Sequence, residues 1–322
     1  PLGKLSLNNS SNQDNDSLYI KGIIEREKTI MSFDAEYPFY GPKELSANII
    51  LDDFPLGVLD SLINPVSQLT GSSSGVFKLT GPVNNYSIVG DTEIHNVGFK
   101  IPYLNTYYSN NNTSLLATFK DDHIQIENFV FSDNIHNTMG IFNGTIQHKA
   151  FQNMSYNLQI DADSLFILNT QKNDNSIYYG NAFLAGNMLI DAVDKNVHLE
   201  IEGELKDGSK FMIPLSNSKE VHENKFVQFL EDGEDKMFSK GLTNSSKLTM
   251  NFNLDIKSNS EIQLIFDEEV GDVIKGYGQG DLYLKINDAG DFEIFGNFTT
   301  EKGNYLFTLQ DVITKSFEIE NN

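Results

Sequence analysis

A glycine-rich segment and a serine–lysine pair are the residues of this sequence whose types and spacing come nearest to catalytic or nucleotide-binding chemistry. The segment Gly276-Tyr277-Gly278-Gln279-Gly280 lacks the G-x-G-x-x-G spacing of a dinucleotide loop, and a strand pattern follows it instead of a helix pattern. Ser216 and Lys219 form an S-x-x-K pair without the K-T-G or S-D-N segments that accompany it in serine hydrolases. We therefore interpret the glycines as a strand bend and predict that the chain is not an enzyme.

Metal-ligating side chains are present but lack ligand spacing. The chain has no cysteine, and its histidines never form H-x-H or H-E-x-x-H; they are His95, His123, His136, His148, His198 and His222. Asp161 with Asp163, and the segment 287–291, could bind calcium weakly, although a hairpin turn is the better interpretation of the second. The sequence predicts no metal site and no cofactor.

The formal charge of the chain excludes one class of partner. There are 45 acidic residues against 23 Lys and Arg, which gives a net charge of −22. Such a surface repels phosphate backbones, so we expect no nucleic-acid partner. No run of about 18 apolar residues occurs that could span a bilayer as a helix.

The elements that position the remaining side chains are strands. From Leu18 onward apolar and polar residues alternate with a period of two, and turn signals such as Asp207-Gly208 and Lys302-Gly303 separate the runs. The pattern predicts an all-β chain of antiparallel hairpins, each strand with one dry face. The candidate residues of the dry face, on their shared parity, are Leu158, Ile160, Leu199, Ile201, Leu248, Met250, Phe252, Leu254, Leu282, Leu284, Ile286, Phe292, Ile294, Phe307 and Leu309.

Two regions outside this pattern complete the predicted organisation. Residues 1–17 are polar over most of their length and are interpreted as a tag remnant or a disordered segment, with 18–322 as a single elongated domain. Short helices are expected in 55–69 and 217–240. A weak repeat of glycine-bounded strands, as in 75–90, favours stacked hairpin units. A sandwich, a barrel or an open curved sheet could each bury the dry faces, and periodicity alone does not choose between them.

The last 75 residues carry a family resemblance. Residues 246–320 contain the phrases Gln263-Leu264-Ile265-Phe266-Asp267, 270–272, 274–280, 290–296 and 301–309. Over this region the sequence resembles the C-terminal domain of the TamB family. The phrases at 81–90 and 96–102 look like the looser AsmA-like repeats of the same superfamily.

The resemblance implies a β-taco, a long curved sheet folded into a groove whose inner face is hydrophobic. It further implies a periplasmic location, an inner-membrane anchor outside this segment, a BamA-like outer-membrane insertase as partner, and roles in phospholipid transport and outer-membrane protein assembly. Two hypotheses follow. The chain is a lipid conduit, with the dry-face residues as its lining, or it is an interaction module whose sheet edge supports outer-membrane protein assembly. A purely structural or adhesive β-protein is a more distant alternative.

Overall fold

The chain forms strands almost throughout, as the period-two pattern predicts. A computed structural model describes residues 3–11, 16–62, 66–110, 114–150, 152–174, 177–193, 196–214, 247–257, 259–267, 272–287, 292–309 and 313–320. Within these ranges nineteen strands and two short 3-10 helices are found, and no helix there is long and apolar enough to cross a membrane. The all-β prediction is confirmed.

The chain divides into two compact units. Unit 1 comprises Pro1–Lys100, Tyr107–Phe131 and Ile141–Leu158, and unit 2 comprises Ile101–Thr106, Ser132–Gly140 and Gln159–Asn322. The prediction of one elongated domain over 18–322 is not tested by this division and stays a prediction.

Unit 1 is built from consecutive antiparallel strands. The strands that lie wholly or partly in it are β1 (Lys4–Ser11), β2 (Ser17–Arg26), β3 (Lys28–Pro38), β4 (Leu45–Pro55), β5 (Ser67–Gly81), β6 (Ser87–Ile101), β7 (Thr106–Ser109), β8 (Ser114–Lys120), β9 (His123–Asp133), β10 (Met139–Lys149) and β11 (Gln152–Thr170). The ladder pairs run β1–β2–β3–β4–β5–β6, and β6 then pairs with β8 and β8 with β9.

Unit 2 contains a mixed sheet, which corrects the prediction of a purely antiparallel one. Its strands beyond those already named are β12 (Tyr179–Val193), β13 (Asn196–Leu205), β14 (Lys210–Pro214), β15 (Lys247–Ile256), β16 (Glu261–Asp267), β17 (Asp272–Ile286), β18 (Phe292–Leu309) and β19 (Ile313–Glu320). β13 pairs in parallel with β15, and β14 in parallel with β16, while β12–β13, β15–β17, β16–β17 and β17–β18 are antiparallel. Parallel neighbours need a connection of a dozen residues or more, and residues 215–246 separate β14 from β15 in the sequence.

A line of turns crosses the sheet of unit 2 and divides it into two arms. Leu205 pairs with Ile256 before the turns and Lys210 with Glu261 after them, so β13–β14 and β15–β16 keep one register across equal four-residue interruptions. The long strands β12 and β17 continue past the interruptions on either flank. We call the interruptions 206–209 and 257–260 the corner, the part with β13 and β15 the first arm, and the part with β14 and β16 the second arm.

Two buried serines hold the corner together. The Oγ of Ser209 donates to the carbonyl of Lys206 at 2.6 Å and accepts from the backbone N–H of Phe183 at 3.0 Å. Ser260, which occupies the same place in the neighbouring turn, donates to the carbonyl of Lys206 at 3.3 Å. The backbone N–H of Glu261 donates to the carbonyl of Ser209 at 2.9 Å and joins the two turns directly. The buried backbone groups of the corner therefore find partners without a continuous ladder.

The structure differs from the sequence-based expectation in two further places. Lys4–Ser11 forms strand β1 along β2, although its polar composition favoured disorder, because ladder hydrogen bonds use backbone groups that every residue type supplies. In the segment 55–69 a 3-10 helix spans only Leu56–Leu62, and strand β5 begins at Ser67. The segment 217–240 lies outside the described residues.

The corner serine yields a testable expectation for stability. Ser209→Ala removes the acceptor of the Phe183 N–H, so we expect a loss of about 1–3 kcal/mol in the free energy of unfolding, the usual effect of leaving a buried donor unpaired. Urea unfolding measures it, and the exposed Ser46→Ala on β4 is the control, for which a change within about 0.5 kcal/mol is expected. Equal effects of the two substitutions would contradict the role of Ser209.

Candidate functional site

The first arm of unit 2 presents a continuous apolar face. Met188 on β12 lies opposite Ile201 on β13, Ile201 opposite Phe252 on β15, and Phe252 opposite Leu284 on β17, which in turn lies opposite Ile294 on β18. A second row runs through Ile190, Leu199, Met250 and Ile286. Because side chains alternate along each strand, the shared register places both rows on one face of the sheet. We call this surface the inner face of the first arm.

The side chains of this face are packed and not open to solvent. Leu284 is 1% exposed, Phe252 4%, and Ile201 and Ile256 are both fully buried. Their sequence neighbours Tyr283 and Lys285 are exposed, so the alternation seen in the sequence is real in three dimensions.

The predicted dry-face residues fall into three groups. Ile160, Leu199, Ile201, Met250, Phe252, Leu254, Leu282, Leu284 and Ile286 are buried. Leu158, Ile294 and Phe307 are half-buried. Leu248, Phe292 and Leu309 belong to strands, but their side chains lie outside the described part of the structure. Whether any of them lines a lipid path stays a prediction.

The two arms of unit 2 face each other across a tyrosine. The Tyr178 ring lies 5.6 Å from the Phe252 ring of the first arm and 6.0 Å from the Phe211 ring of the second arm, measured between centroids. Its hydroxyl reaches the Sδ of Met250 at 3.8 Å. One side chain touches both arms, so the sheet bends at the corner far enough for its inner face to pack on itself.

The outer face of the first arm is polar and its charges are paired near the corner. Glu204, Asp255 and Asp281 are successive partners across β13, β15 and β17. Lys206 Nζ lies 2.9 Å from a Glu204 carboxylate oxygen, and Lys257 Nζ contacts both Asp255 and Glu204. The hydrogen bond to Asp255 raises the pKa of Lys257. The lysines offset the repulsion of adjacent carboxylates, which allows an acidic outer face to coexist with a tight corner.

A carboxylate organises the loop that packs on Phe166 and Phe183. Asp133, 1% exposed, accepts hydrogen bonds from the backbone N–H groups of Ile135, His136 and Thr138 and from the Thr138 hydroxyl, at 2.5–2.9 Å. Burial alone would raise the pKa of Asp133, but these hydrogen bonds outweigh it and the pKa is lowered. The loop places the His136 ring edge-to-face with Phe166 and Phe183, at 4.5 and 4.9 Å.

Unit 1 has an apolar face of its own, which the sequence-based reasoning did not single out. Directly opposed residues form one row across eight strands, from β1 through β6 to β8 and β9: Leu7, Gly22, Phe33, Ile49, Phe77, Gly90, Phe119 and Ile124. At roughly 4.8 Å per strand the row is roughly 34 Å long. We call it the unit 1 row.

The unit 1 row is only partly covered. Phe77 and Ile124 are buried, but Phe33, Ile49 and Phe119 are half-buried and Leu7 on β1 is 57% exposed. A Cβ added at Gly22 would lie 2.2 Å from the Phe33 ring, so the absence of a side chain at this position provides space that the ring occupies. Alternation such as Phe77-Lys78-Leu79 was the signal that could have identified these residues, but register between distant strands is not visible in one sequence.

The remaining chemical motifs do not form a reactive site in the described residues. Gly276–Gly280 lies inside β17, where the register with β18 shifts between Tyr277 and Gly278. A Cβ on Gly278 would come within 2.0 Å of the Thr299 carbonyl oxygen, so close approach of two strands explains the glycine, in agreement with the strand-bend interpretation. Ser216, Lys219 and the turn at 288–291 lie outside the described residues.

Comparison with known proteins gives one finding. A family model for the TamB C-terminal domain matches residues 127–322, more than half of the chain and most of unit 2. Neither the curated proteins nor the solved structures include one that matches the chain.

Leu284 and Lys285 are sequence neighbours on opposite faces of the first arm, so we expect substitutions at the two positions to affect stability very differently. Leu284→Arg places a guanidinium where the side chain is 1% exposed, and we expect it to destabilise the fold by several kcal/mol because no partner charge is provided. Lys285→Arg, on the outer face, should change the free energy of unfolding by less than about 0.5 kcal/mol. Thermal and urea unfolding measure both variants, and similar curves would mean that Leu284 does not lie in a packed interior.

The lowered pKa of Asp133 predicts a pH-dependent stability. Its carboxylate stabilises the folded state above the pKa of about 3.9 that an unfolded aspartate has, and this contribution is lost as pH falls through the lower folded pKa. At pH 7 we expect Asp133→Asn to cost about 2 kcal/mol, because an amide nitrogen cannot accept the N–H groups. As the pH falls from 7 to 2, the melting temperature of the Asp133→Asn variant should converge with that of the wild type. A difference that stays constant over this range would show that the ionised carboxylate of Asp133 is not its cause. Asp163→Asn, at an exposed position on β11, is the control.

Proposed function

The chain belongs to the TamB family, and from that premise we propose that its apolar faces hold the acyl chains of phospholipids moving between the inner and outer membranes. The family is one of envelope proteins associated with outer-membrane assembly and lipid transport. The proposal assigns the chain a transport role and no chemical step.

The observation that carries the proposal is the half-open unit 1 row. An apolar strip about 34 Å long is longer than one leaflet of a bilayer, whose hydrocarbon is about 15 Å thick as half of the ~30 Å core. An acyl chain can therefore lie along it, perpendicular to the strands, where the side chains of Phe33, Ile49 and Phe119 are half-buried.

The energetics suit movement as well as binding. Each methylene removed from water gains about 0.8 kcal/mol, so a chain of sixteen carbons gains on the order of 12 kcal/mol when fully covered and less on a half-open face. Along the row each strand contributes an aliphatic or aromatic side chain or a glycine of similar polarity. A chain displaced by one strand exchanges one such contact for another, so the barrier between positions is small compared with the total binding energy.

The partners of the transport process are part of the same proposal. The phospholipid would come from an inner membrane to which the protein would be anchored outside the described region. At the outer membrane, the protein would bind a BamA-like insertase. The location is then the periplasm. The match of residues 127–322 to the TamB C-terminal domain supports this assignment.

The alternative function, an interaction module for outer-membrane protein assembly, has one specific observation in its favour. Strand β19 pairs with β18 only over Lys302–Leu309, so the part of β18 from Phe292 to Glu301 has one ladder partner, β17, among the described strands. A sheet edge of this kind can accept an added strand. The half-open row supports the lipid proposal more directly, because strand addition requires no apolar face.

Neighbouring isoleucines on opposite faces allow the lipid proposal to be tested. Ile49 is half-buried in the unit 1 row, whereas Ile50 is 49% exposed on the other face. A small aliphatic diazirine residue is placed at either position in the full chain, which is illuminated with vesicles of phosphatidylethanolamine and phosphatidylglycerol. We expect mass spectrometry to find lipid adducts at position 49 in several-fold excess over position 50.

The comparison controls for non-specific contact of lipid with exposed side chains, because Ile50 is the more exposed of the two isoleucines. Equal capture at both positions would show that lipid contacts the surface without using the row. No capture at either position would remove the support for a lipid conduit and favour the interaction module.

A further inference from the structure

An exposed aromatic pair lies on the outer face of the first arm, on the side of the sheet opposite the packed inner face. Tyr283 on β17 and Phe295 on β18 are direct ladder partners, and their ring centroids are 6.2 Å apart. Tyr283 is 38% exposed and Phe295 56%. Neither the packed interior nor the lipid proposal uses these rings. Aromatic residues are enriched where proteins bind partners, so the pair is a candidate contact surface.

The charges around the aromatic pair are mostly negative. Three exposed carboxylates and one exposed lysine lie within two positions of the pair, either along a strand or across the sheet. They are Glu202, Asp281, Glu293 and Lys285. Three negative charges against one positive charge make this part of the face attractive to a cation.

The lysines at the corner are engaged with other carboxylates. Lys206 Nζ lies 2.9 Å from a Glu204 oxygen, and Lys257 contacts both Asp255 and Glu204. Within the described residues, no ion pair involves Glu202 or Glu293. The negative charge beside the aromatic pair is therefore available to a cation from outside the chain.

The same strand shows how a ring and a carboxylate together hold a cation. Lys302 Nζ lies 5.1 Å from the centre of the Tyr277 ring, and the Tyr277 hydroxyl donates to a Glu261 carboxylate oxygen at 2.6 Å. In the part of the chain that the structure describes, no lysine or arginine lies over the ring of Tyr283 or Phe295. The pair thus has the rings and the nearby carboxylates of such an arrangement, and a partner can supply the cation.

We propose that the outer face of the first arm binds an arginine-bearing segment of a partner protein, with a guanidinium over the Tyr283–Phe295 pair and within reach of the neighbouring carboxylates. A guanidinium is planar, stacks on aromatic rings and can donate two parallel hydrogen bonds to a carboxylate, whereas a lysine ammonium is a compact and strongly hydrated charge. The surface lies on the opposite face from the packed interior, and its binding does not depend on the lipid proposal.

The surroundings of the pair favour a polypeptide over a lipid amine as the source of the cation. A lipid whose ammonium lay on the rings would place its acyl chains beside Asn187, Asn253 and Asn297, which are exposed and polar. Such a face gives methylenes no apolar surface to cover. The described residues also contain no group of acidic or histidine side chains that could hold a metal ion.

Fluorescence anisotropy with the full chain tests the proposal. The probe is a labelled peptide of four Arg-Ser repeats, and peptides with lysine or uncharged citrulline in place of arginine are compared with it. We expect the arginine peptide to bind several-fold more tightly than the lysine peptide, and the citrulline peptide to bind least. Tyr283→Leu and Phe295→Leu keep apolar side chains but remove the aromatic faces, so each should weaken binding of the arginine peptide by about two- to fivefold.

Two pairs of substitutions in unit 1 are the matched controls. Ile50 and Val76 are also exposed ladder partners, 49% and 60%, so Ile50→Ala with Val76→Ala removes an exposed apolar pair elsewhere and should leave binding unchanged. Glu202→Gln with Glu293→Gln should weaken binding. Glu25→Gln with Glu44→Gln makes the same change in net charge at exposed positions of unit 1 and should have a smaller effect.

The possible results separate this surface from its alternatives. Equal binding of the arginine and lysine peptides, with equal losses in both carboxylate variants, would show general attraction to a chain of net charge −22 and overturn the proposal. Leucine variants that bind the arginine peptide as the wild type does, while their melting temperatures fall, would assign the rings a structural role only and overturn it as well. Displacement of the peptide by phosphatidylethanolamine vesicles would identify a lipid amine as the occupant, against the proposed protein partner.

Discussion

Register between neighbouring strands is the constraint on which the rest of this structure depends. Each strand alternates apolar and polar residues, so a slip of one residue would turn its apolar side chains to the opposite face. The rows through Ile201, Phe252 and Leu284, and through Ile49 and Phe77, exist only because every ladder keeps its register. The corner obeys the same constraint. Two parallel strands are interrupted by turns of equal length, and Lys210 meets Glu261 with the register that Leu205 and Ile256 had before the turn.

The two units cover their apolar faces to different extents. In unit 2 the sheet bends at the corner, and Tyr178 joins the inner faces of the arms, so Leu284 and Ile256 are as buried as residues of any globular core. In unit 1 the row that contains Phe33 and Ile49 stays half-buried. A fully packed face gains the most stability and excludes a ligand, whereas a half-open face gives up part of that stability and can bind one. A conduit needs the second kind of face wherever lipid is to rest.

Sequence alone was sufficient for the strand content and for the parity of several strands. Leu282, Leu284 and Ile286 are buried and Tyr283 and Lys285 exposed, as alternation predicted, because parity is a local property that six residues reveal. The parallel pairing of β13 with β15 was missed, since it joins residues about fifty positions apart that no local pattern in the sequence links. Tyr178 was missed for the same reason: a tyrosine beside a strand becomes notable only when Phe211 and Phe252 are seen on either side of its ring. Register across a sheet and contacts across a bend are both non-local.

The acidic charge of the chain acquires a physical role once the half-open row is considered. Exposed apolar residues such as Leu5 and Leu7 on β1 would favour association between copies of the chain, since exposed apolar surface tends to be buried against a partner. A net charge of −22 opposes the approach of a second copy at a distance of about one Debye length, ~8 Å in physiological salt, while leaving contact with an uncharged acyl chain unaffected. The negative charge therefore disfavours binding of a second copy of the chain relative to binding of an acyl chain, a distinction that the apolar row alone does not make. The same negative charge causes repulsion at the corner, where Glu204, Asp255 and Asp281 are neighbours across three strands. Lys206 and Lys257 offset this repulsion.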